Sequence, residues 1–331
     1  MLRKTFYAKT AAAVLFGTLT VGTLQVQAQQ LTYPTRNITV VIPKNPGGGT
    51  DTSTRLTLEY AKKYLPQGII FVPENKPSGN GVTGLVEVAG AKPDGHTLVM
   101  TTVELAMFPH QGKSPVTYEN FTALYAPIAD PCALVVRADS PYKTLKDFIA
   151  AAKEQPGKIQ VANSGTGAIY DLATINIEQQ LGVKVKHIPY NEGIGPAIAA
   201  LVGGHVDAVI TTPGTAKAQV DAGVLSVIGV MDSKRFELFP DAPTFKEALG
   251  TDTVTEMRAW AALAGPAKLP DNVRNELVAM FTAVAADPEF QEAMKKQGIM
   301  PGAILGDDAA NMLKQDHELY AKLIAEAQKA K

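Results

Sequence analysis

The chain has 331 residues, 46% hydrophobic and 19% charged, which is the composition of a globular protein of two domains or one large one. Lys and Arg total 31 against 32 Asp and Glu, a net charge of -1, and aromatic content is 7%; both argue against a nucleic-acid binder driven by phosphate neutralisation. The single cysteine, Cys132, excludes an internal disulfide and any cysteine-built zinc or iron–sulfur site.

Residues 1–28 read as a secretory signal. Arg3, Lys4 and Lys9 form its positive start, Ala11 to Leu24 its apolar stretch, and Val26-Gln27-Ala28 the cleavage pattern. The mature chain is expected to begin near Gln29 and to be exported. The apolar run falls short of the roughly 20 residues of a membrane anchor, and no later stretch is long enough.

Strand, loop and helix then alternate. Ile38–Pro43 predicts a strand, followed by a glycine cluster and a helix from Asp51 to about Tyr64. Ile69–Val72 and His96–Thr101 predict two more strands, the second behind an Asp94-Gly95 turn. Ala133–Arg137 is β-rich. Thr144-Leu145-Lys146-Asp147 is a capping box opening a helix to about Gln155. Strand Ile159–Ala162, helix Ala168–Leu181, strand Val183–Ile188 and helix Pro196–Val202 follow, then strands Val206–Thr211 and Ser226–Met231. Val273, Leu277, Met280, Phe281 and Val284 recur at helical spacing. Asp287-Pro288 caps a further helix that Gly298 ends, and Ala309 to Ile324 marks a last amphipathic one. The alternation predicts an α/β fold with largely parallel sheets.

Ligands of open α/β sheets bind beyond the carboxyl ends of strands. Three junctions qualify here: Pro43 to Asp51, Asn163 to Gly167, and Pro189 to Gly195. Glycines in such loops bring backbone N–H groups close to a ligand, and a helix N-terminus favours an anion. None is a nucleotide loop. The first lacks the Gly-Lys-Ser/Thr of a P-loop. Gly79 to Gly84 matches G-x-G-x-x-G, but the stretch Pro73 to Ser78 is read as separating it from its strand, against a dinucleotide fold. Ser140-Pro141-Tyr142-Lys143 has no Lys-Thr-Gly or Ser-Asp-Asn partner. Five scattered histidines offer no metal pair, and no nucleophile elbow supports a secreted α/β hydrolase. Enzyme signatures are poor throughout, and no cofactor and no metal are expected.

Tyr33 to Pro43 followed by Pro46-Gly47-Gly48-Gly49-Thr50-Asp51 resembles the start of a Bug-type solute receptor, the extracytoplasmic substrate-binding protein of tripartite tricarboxylate transporters. Glu74-Asn75-Lys76-Pro77, Pro93-Asp94-Gly95-His96-Thr97-Leu98, Pro156-Gly157-Lys158 and Ser164-Gly165-Thr166-Gly167 continue the resemblance in order. So do Pro189-Tyr190, Gly203-Gly204-His205-Val206-Asp207 and Pro240-Asp241-Ala242-Pro243-Thr244. It covers residues 31 to 331.

The resemblance implies a type II periplasmic-binding architecture, two α/β lobes with a ligand cleft between them: lobe 1 over 31–130 plus 255–331, lobe 2 over 131–254. It implies a small carboxylate ligand (mono-, di- or tricarboxylate, or amino acid), delivery to the membrane permease subunits of the transporter, and a monomer. A receptor feeding a sensor kinase would use the same closure. The ligand contacts it implies are Gly47, Gly48, Gly49, Thr50 and Asp51 with Lys44 and Asn45 from the first lobe, Thr102 beside them, and Ser164, Gly165, Thr166, Gly167, Asp171 and Tyr190 from the second. Lys44-Asn45 stands where the family often has an apolar pair; Lys44 either faces the cleft or is a solvated loop lysine. Asp171 stands in a segment where the family often has a Ser and a His. It either accepts from the ligand, favouring an ammonium or hydroxyl over a second carboxylate, or is a first-turn helix carboxylate favoured by the dipole.

Overall fold

The computed structural model describes residues 33–251 and 256–329. The expected leader over 1–28 and the lobe boundary at 254/255 lie outside them. Eleven strands are described: β1 (Ile38–Ile42), β2 (Phe71–Asn75), β3 (Thr97–Thr102), β4 (Phe121–Pro131), β5 (Ala133–Arg137), β6 (Gln160–Asn163), β7 (Lys186–Pro189), β8 (Ala208–Thr211), β9 (Leu225–Val230), β10 (Arg258–Pro266) and β11 (Ile304–Leu305). They form two sheets, ordered β11-β4-β10-β3-β1-β2 and β7-β6-β8-β5-β9.

The sheets are mixed, which corrects the expectation of largely parallel pairing. β1 is parallel to β2 and β3, and β6 to β7 and β8. β10 runs antiparallel to both β3 and β4, β11 to β4, and β5 to β8 and β9. The parallel pairs are the ones joined through the helices Gly49–Ala61, Val82–Ala89 and Ile169–Leu181, because a parallel return needs a crossover. The antiparallel pairing centres on the long pair β4 and β10 in the first sheet and on β5, between the central strand β8 and the edge strand β9, in the second.

Period-two alternation sorts the side chains onto the two faces of the first sheet. Ile38, Val40, Leu98, Met100, Ala261 and Leu263 pack with Leu58, Val273, Leu277, Phe281 and Phe290 of the helices on one side. Val41, Val99, Ala262 and Ala264 pack on the other side with Leu85, Val88 and the last helix, Gly306–Lys329, through Ala309, Met312 and Tyr320. This second core continues into the other sheet through Leu134, Val136, Ala208 and Ile210, so one apolar cluster underlies both. Both caps read from sequence are present. Thr144 and Asp147 form a reciprocal capping box, and Asp287 caps the helix that Pro288 begins.

The G-x-G-x-x-G run has a packing role. β2 extends to Asn75, with Pro73 tolerated on an edge strand, so only Lys76, Pro77 and Ser78 precede Gly79. Gly81 sits at φ +92°, and a Cβ there would lie 2.4 Å from the Pro43 carbonyl oxygen. A Cβ on Gly84 would lie 2.9 Å from Val41. These two glycines let the helix Val82–Ala89 press against the end of β1, where the first glycine loop begins.

The chain passes between the sheets at Cys132 and returns before Met257. The Cys132 N–H donates to the Met257 carbonyl at 2.7 Å, the Met231 N–H to the Cys132 carbonyl at 2.8 Å, and the Met257 N–H to the Met231 carbonyl at 3.1 Å. The two crossings are thus laced side by side. Cys132 is buried, and burial pushes its thiol up, so it is a packing residue, not a nucleophile.

Candidate functional site

The first glycine loop is fixed by one carboxylate. Asp51, in the first turn of the helix Gly49–Ala61, is buried and accepts the Gly47 N–H at 2.9 Å, the Arg55 guanidinium at 2.9 Å and the Asn75 amide at 2.9 Å. Burial alone would raise the Asp51 carboxyl, but these donors outweigh it and hold it below its ordinary value. Asn75 also donates to the Lys44 carbonyl at 3.0 Å, so the loop is closed at both ends. Lys44 itself is paired: its ammonium lies 2.7 Å from Glu104. Burial works to raise the Glu104 carboxyl, yet Lys44, aided by the Thr102 hydroxyl, holds it low. Thr102 and Lys44 therefore meet at one partly buried carboxylate, Glu104, on the first sheet's side.

The second loop repeats the device. Asp171, in the first turn of the helix Ile169–Leu181, accepts the Gly167 N–H at 2.8 Å, the Asn163 amide at 3.0 Å and the His187 Nδ1 at 2.6 Å. Asn163 also accepts the Gly165 N–H at 2.9 Å. In each loop a carboxylate four residues on takes a glycine N–H, an asparagine braces it, and a basic side chain backs it: Arg55 in the first, His187 in the second. Burial lowers the His187 value, but hydrogen bonds to Asp171 and Glu178 outweigh it and push it up to about 9. The raised value means its charge stabilises the fold fully below about 6.5 and is lost as pH rises through about 9. With the ring 27% exposed, solvent screens part of this. His187→Gln is expected to cost about 1–2 kcal/mol at pH 6 and nearly nothing at pH 10, read from urea melts at both. An equal cost at both pH values would remove the charge from the account.

Between the two sheets lies a cavity of about 420 Å³. Gly47, Gly49 and Thr50 of the first loop form one wall, and Tyr170, Ile194, Thr212 and Gly214 the opposite one. Ile128 and Asp130 of β4 and Trp260 of β10 form its floor. The Trp260 indole N–H donates to Asp316 of the last helix at 2.7 Å, which pins the only tryptophan of the chain beside this space. Burial pushes the Tyr170 hydroxyl up, so it stays protonated near Thr211 and Thr212. Burial also pushes the Asp130 carboxyl up to about 7, against the Met300 backbone N–H, which favours its charge.

A second cavity, of about 560 Å³, lies on the far side of the second glycine loop. Thr166, Gly167, Asp171 and His187 line it with Gln111, Lys113 and Ile324. Gln111 donates to the Gly167 carbonyl at 2.7 Å and so ties that loop to the first sheet's side of the chain.

Of the residues expected at a ligand, Gly47, Gly49 and Thr50 meet at the first cavity, and Thr166, Gly167 and Asp171 at the second. Lys44, Asn45, Gly48, Asp51, Thr102, Ser164, Gly165 and Tyr190 line neither. Asp130, Tyr170, Thr212 and Trp260 are among the cavity residues that no sequence motif marks. One signal was present: Thr211-Thr212-Pro213-Gly214 is a glycine-bearing junction after a strand, like the loops that were noted. Among the described residues no cluster of three or more His, Cys, Asp or Glu could hold a metal. No helix there is long and apolar enough to cross a membrane.

The chain matches the family model described as the tripartite tricarboxylate transporter family receptor over residues 54–328. A Cupriavidus necator protein, known as a UPF0065 protein in the gbd 5' region, is 32% identical, covering 99% of this chain and 100% of the relative. A solved solute-binding protein from Polaromonas superposes with a TM-score of 0.79 at 31% identity, covering 89% of this chain and all of the other. MatC from Rhodopseudomonas palustris, solved with malate bound, gives a TM-score of 0.72 at 26% identity, covering 88% and 100%.

Proposed function

The chain belongs to the tripartite tricarboxylate transporter receptor family, and from that premise we propose that it captures one small carboxylate in the periplasm, between its two lobes, and delivers it to a membrane permease. The family is one of substrate-binding receptors, not enzymes, so the hydrolase alternative falls away. The lobes we assign are 31–130 with 255–331, and 131–254, with residues 1–28 removed on export.

The observation that carries this reading is the placement of Gly47, Gly49 and Thr50. Gly49 and Thr50 open a 13-residue helix, Gly47 precedes it with its N–H held by Asp51, and all three face a cavity whose other wall comes from the second sheet. Helix N-terminal N–H groups are unpaired donors at the positive end of a dipole, which suits a carboxylate. Each such bond contributes about 1.5–3 kcal/mol, so two or three, with contacts from Tyr170 and Thr212, reach about -8 kcal/mol, a micromolar affinity. A ligand touching both walls binds the closed arrangement better than an open one and so drives closure.

The test is a thermal-shift panel of mono-, di- and tricarboxylates and amino acids on residues 29–331. A ligand at 100 times its Kd stabilises by about 2.7 kcal/mol. The double variant Gly49→Val with Thr212→Ala, one residue from each wall of the cavity, is expected to lose the shift and stay folded. Gly49 has no left-handed φ to lose, and a Cβ there would find nothing within 4 Å. A panel with no carboxylate hit, or a double variant that binds like the parent, would overturn the assignment.

A further inference from the structure

We propose that Asp130 sets the specificity of the interlobe cavity and selects a small carboxylate whose far end carries a hydrogen-bond donor, an ammonium or a hydroxyl group, over a dicarboxylate. The inference rests on the receptor reading above and adds to it the chemistry of the ligand's second end.

Asp130 lies near the end of β4, opposite Ala259 of β10, one step before the chain leaves the first sheet. It is 5% exposed and lines the cavity floor. No Lys, Arg, His or Glu lines the cavity with it; Tyr170 is the one other titratable group there, and it is a protonated hydroxyl. The neighbouring acids are already engaged. Asp51 is taken by Gly47, Arg55 and Asn75, Asp171 by Gly167, Asn163 and His187, and Glu104 by Lys44. Among the described residues Asp130 forms no ion pair, and the Met300 N–H is the one protein donor that favours its charge. Burial without a cation is what lifts its carboxyl to about 7.

The cavity is therefore polarised. The Gly49–Thr50 end offers helix N-terminal N–H donors and the positive end of a helix dipole; the Asp130 floor offers an acceptor. A buried carboxylate with one backbone donor and no cation is costly to charge, and a ligand that supplies a further donor lowers that cost. A second carboxylate at Asp130 would place two like charges in a site without a cation. An ammonium or hydroxyl group completes it.

The test compares ligands of one chain length that differ only at the far end: butyrate, 4-aminobutyrate, 4-hydroxybutyrate and succinate, with the three-, five- and six-carbon counterparts. Affinity is read by calorimetry and by Trp260 fluorescence. The donor-bearing ligands are expected to bind at least tenfold tighter than the dicarboxylate of equal length. Asp130→Asn should weaken the ammonium ligand tenfold or more and strengthen the dicarboxylate; Asp130→Ser, with the site opened further, should move both the same way. An ammonium ligand loses affinity below pH 7 as Asp130 takes up a proton, and a hydroxyl ligand does not, which separates the two donors. A dicarboxylate that binds best, with ratios unchanged in both variants, overturns the role of Asp130 and leaves the receptor reading intact. No binding by any of these carboxylates to any of the three proteins overturns both.

Discussion

Asp130→Asn stabilises the ligand-free protein by about 2–4 kcal/mol at pH 8 and leaves it nearly unchanged at pH 4. The folded protein holds the Asp130 proton up to about pH 7, whereas the unfolded chain releases it near 3.8. Between those values the native state binds the extra proton, so stability falls as pH rises from about 4 to about 7, and above that the buried charge stays as a constant cost. Three pH units at about 1.4 kcal/mol each set an upper bound of about 4 kcal/mol. The amide carries no charge at any pH and removes the whole effect. His187 also holds its proton more tightly in the folded protein, so it too lowers stability as pH rises, between about 6.5 and about 9, but it is present in both proteins and cancels in the difference. For a chain of this size the gain corresponds to a melting temperature higher by about 3–6 °C at pH 8. Melts of both proteins at pH 4, 6 and 8 without carboxylate test it; a difference that stays flat across pH sinks the account. The cost also bears on function. A ligand ammonium at Asp130 relieves it, so part of the binding free energy is the release of a charge the empty receptor holds at a loss.

The helices and the glycine loops were legible because local chemistry marks them. Thr144 with Asp147 and Asp287 with Pro288 announce helix starts, and Val273 to Val284 repeats at helical spacing. The central antiparallel pair was not. β10 reads Arg-Ala-Trp-Ala-Ala-Leu-Ala-Gly-Pro, four alanines that have no strand preference of their own. β4 carries Pro127 and ends in Pro131, both of which read as punctuation. Pro127 is tolerated because the ladder is interrupted there: Ile128 pairs with Ala261 but Tyr125 with Leu263, an extra residue on β4. Missing this pair hid the floor of the cavity, since Asp130 and Trp260 lie on it. Asp130 before a proline has the signature of a turn, and only the strand ladder turns it into a buried acceptor. The Lys44–Glu104 pair was hidden for another reason: its partners are 60 residues apart and meet only because β1 and β3 are neighbours.

Gly214→Ala lowers ligand affinity at least tenfold while changing the unliganded melt by no more than about 1 kcal/mol. Gly214 lies in the short turn Pro213–Ala216 that follows β8, and Gly298 in the turn after the helix Pro288–Lys296. The first belongs to the second sheet's side and the other to the first sheet's side, and both line the cavity. A Cβ on Gly214 would stand 1.7 Å from the Gly298 carbonyl oxygen, and one on Gly298 would stand 2.6 Å from the Gly214 oxygen. The obstacle is backbone in both directions, so no side chain can swing away; one wall has to move. Ala216 and Ile299, beside the contact, anchor the two turns in the apolar cores of their own sides, so the cheapest response is to part the walls at the cavity rim rather than to unfold either. Parting them separates Thr212 from Thr50, and a ligand that needs both then has only one. Because Gly298 holds φ +72°, the substitution is cleaner at Gly214, where no strained backbone conformation is lost. Gly195→Ala serves as the control: a Cβ there meets nothing within 4 Å, and the residue is already helical, so affinity should hold and the melt should rise slightly. Equal affinities for the parent and Gly214→Ala, measured by the Trp260 signal, would mean that the two glycines touch without the ligand depending on it, and closure would have to be governed by the laced crossings at Cys132 and Met257 instead.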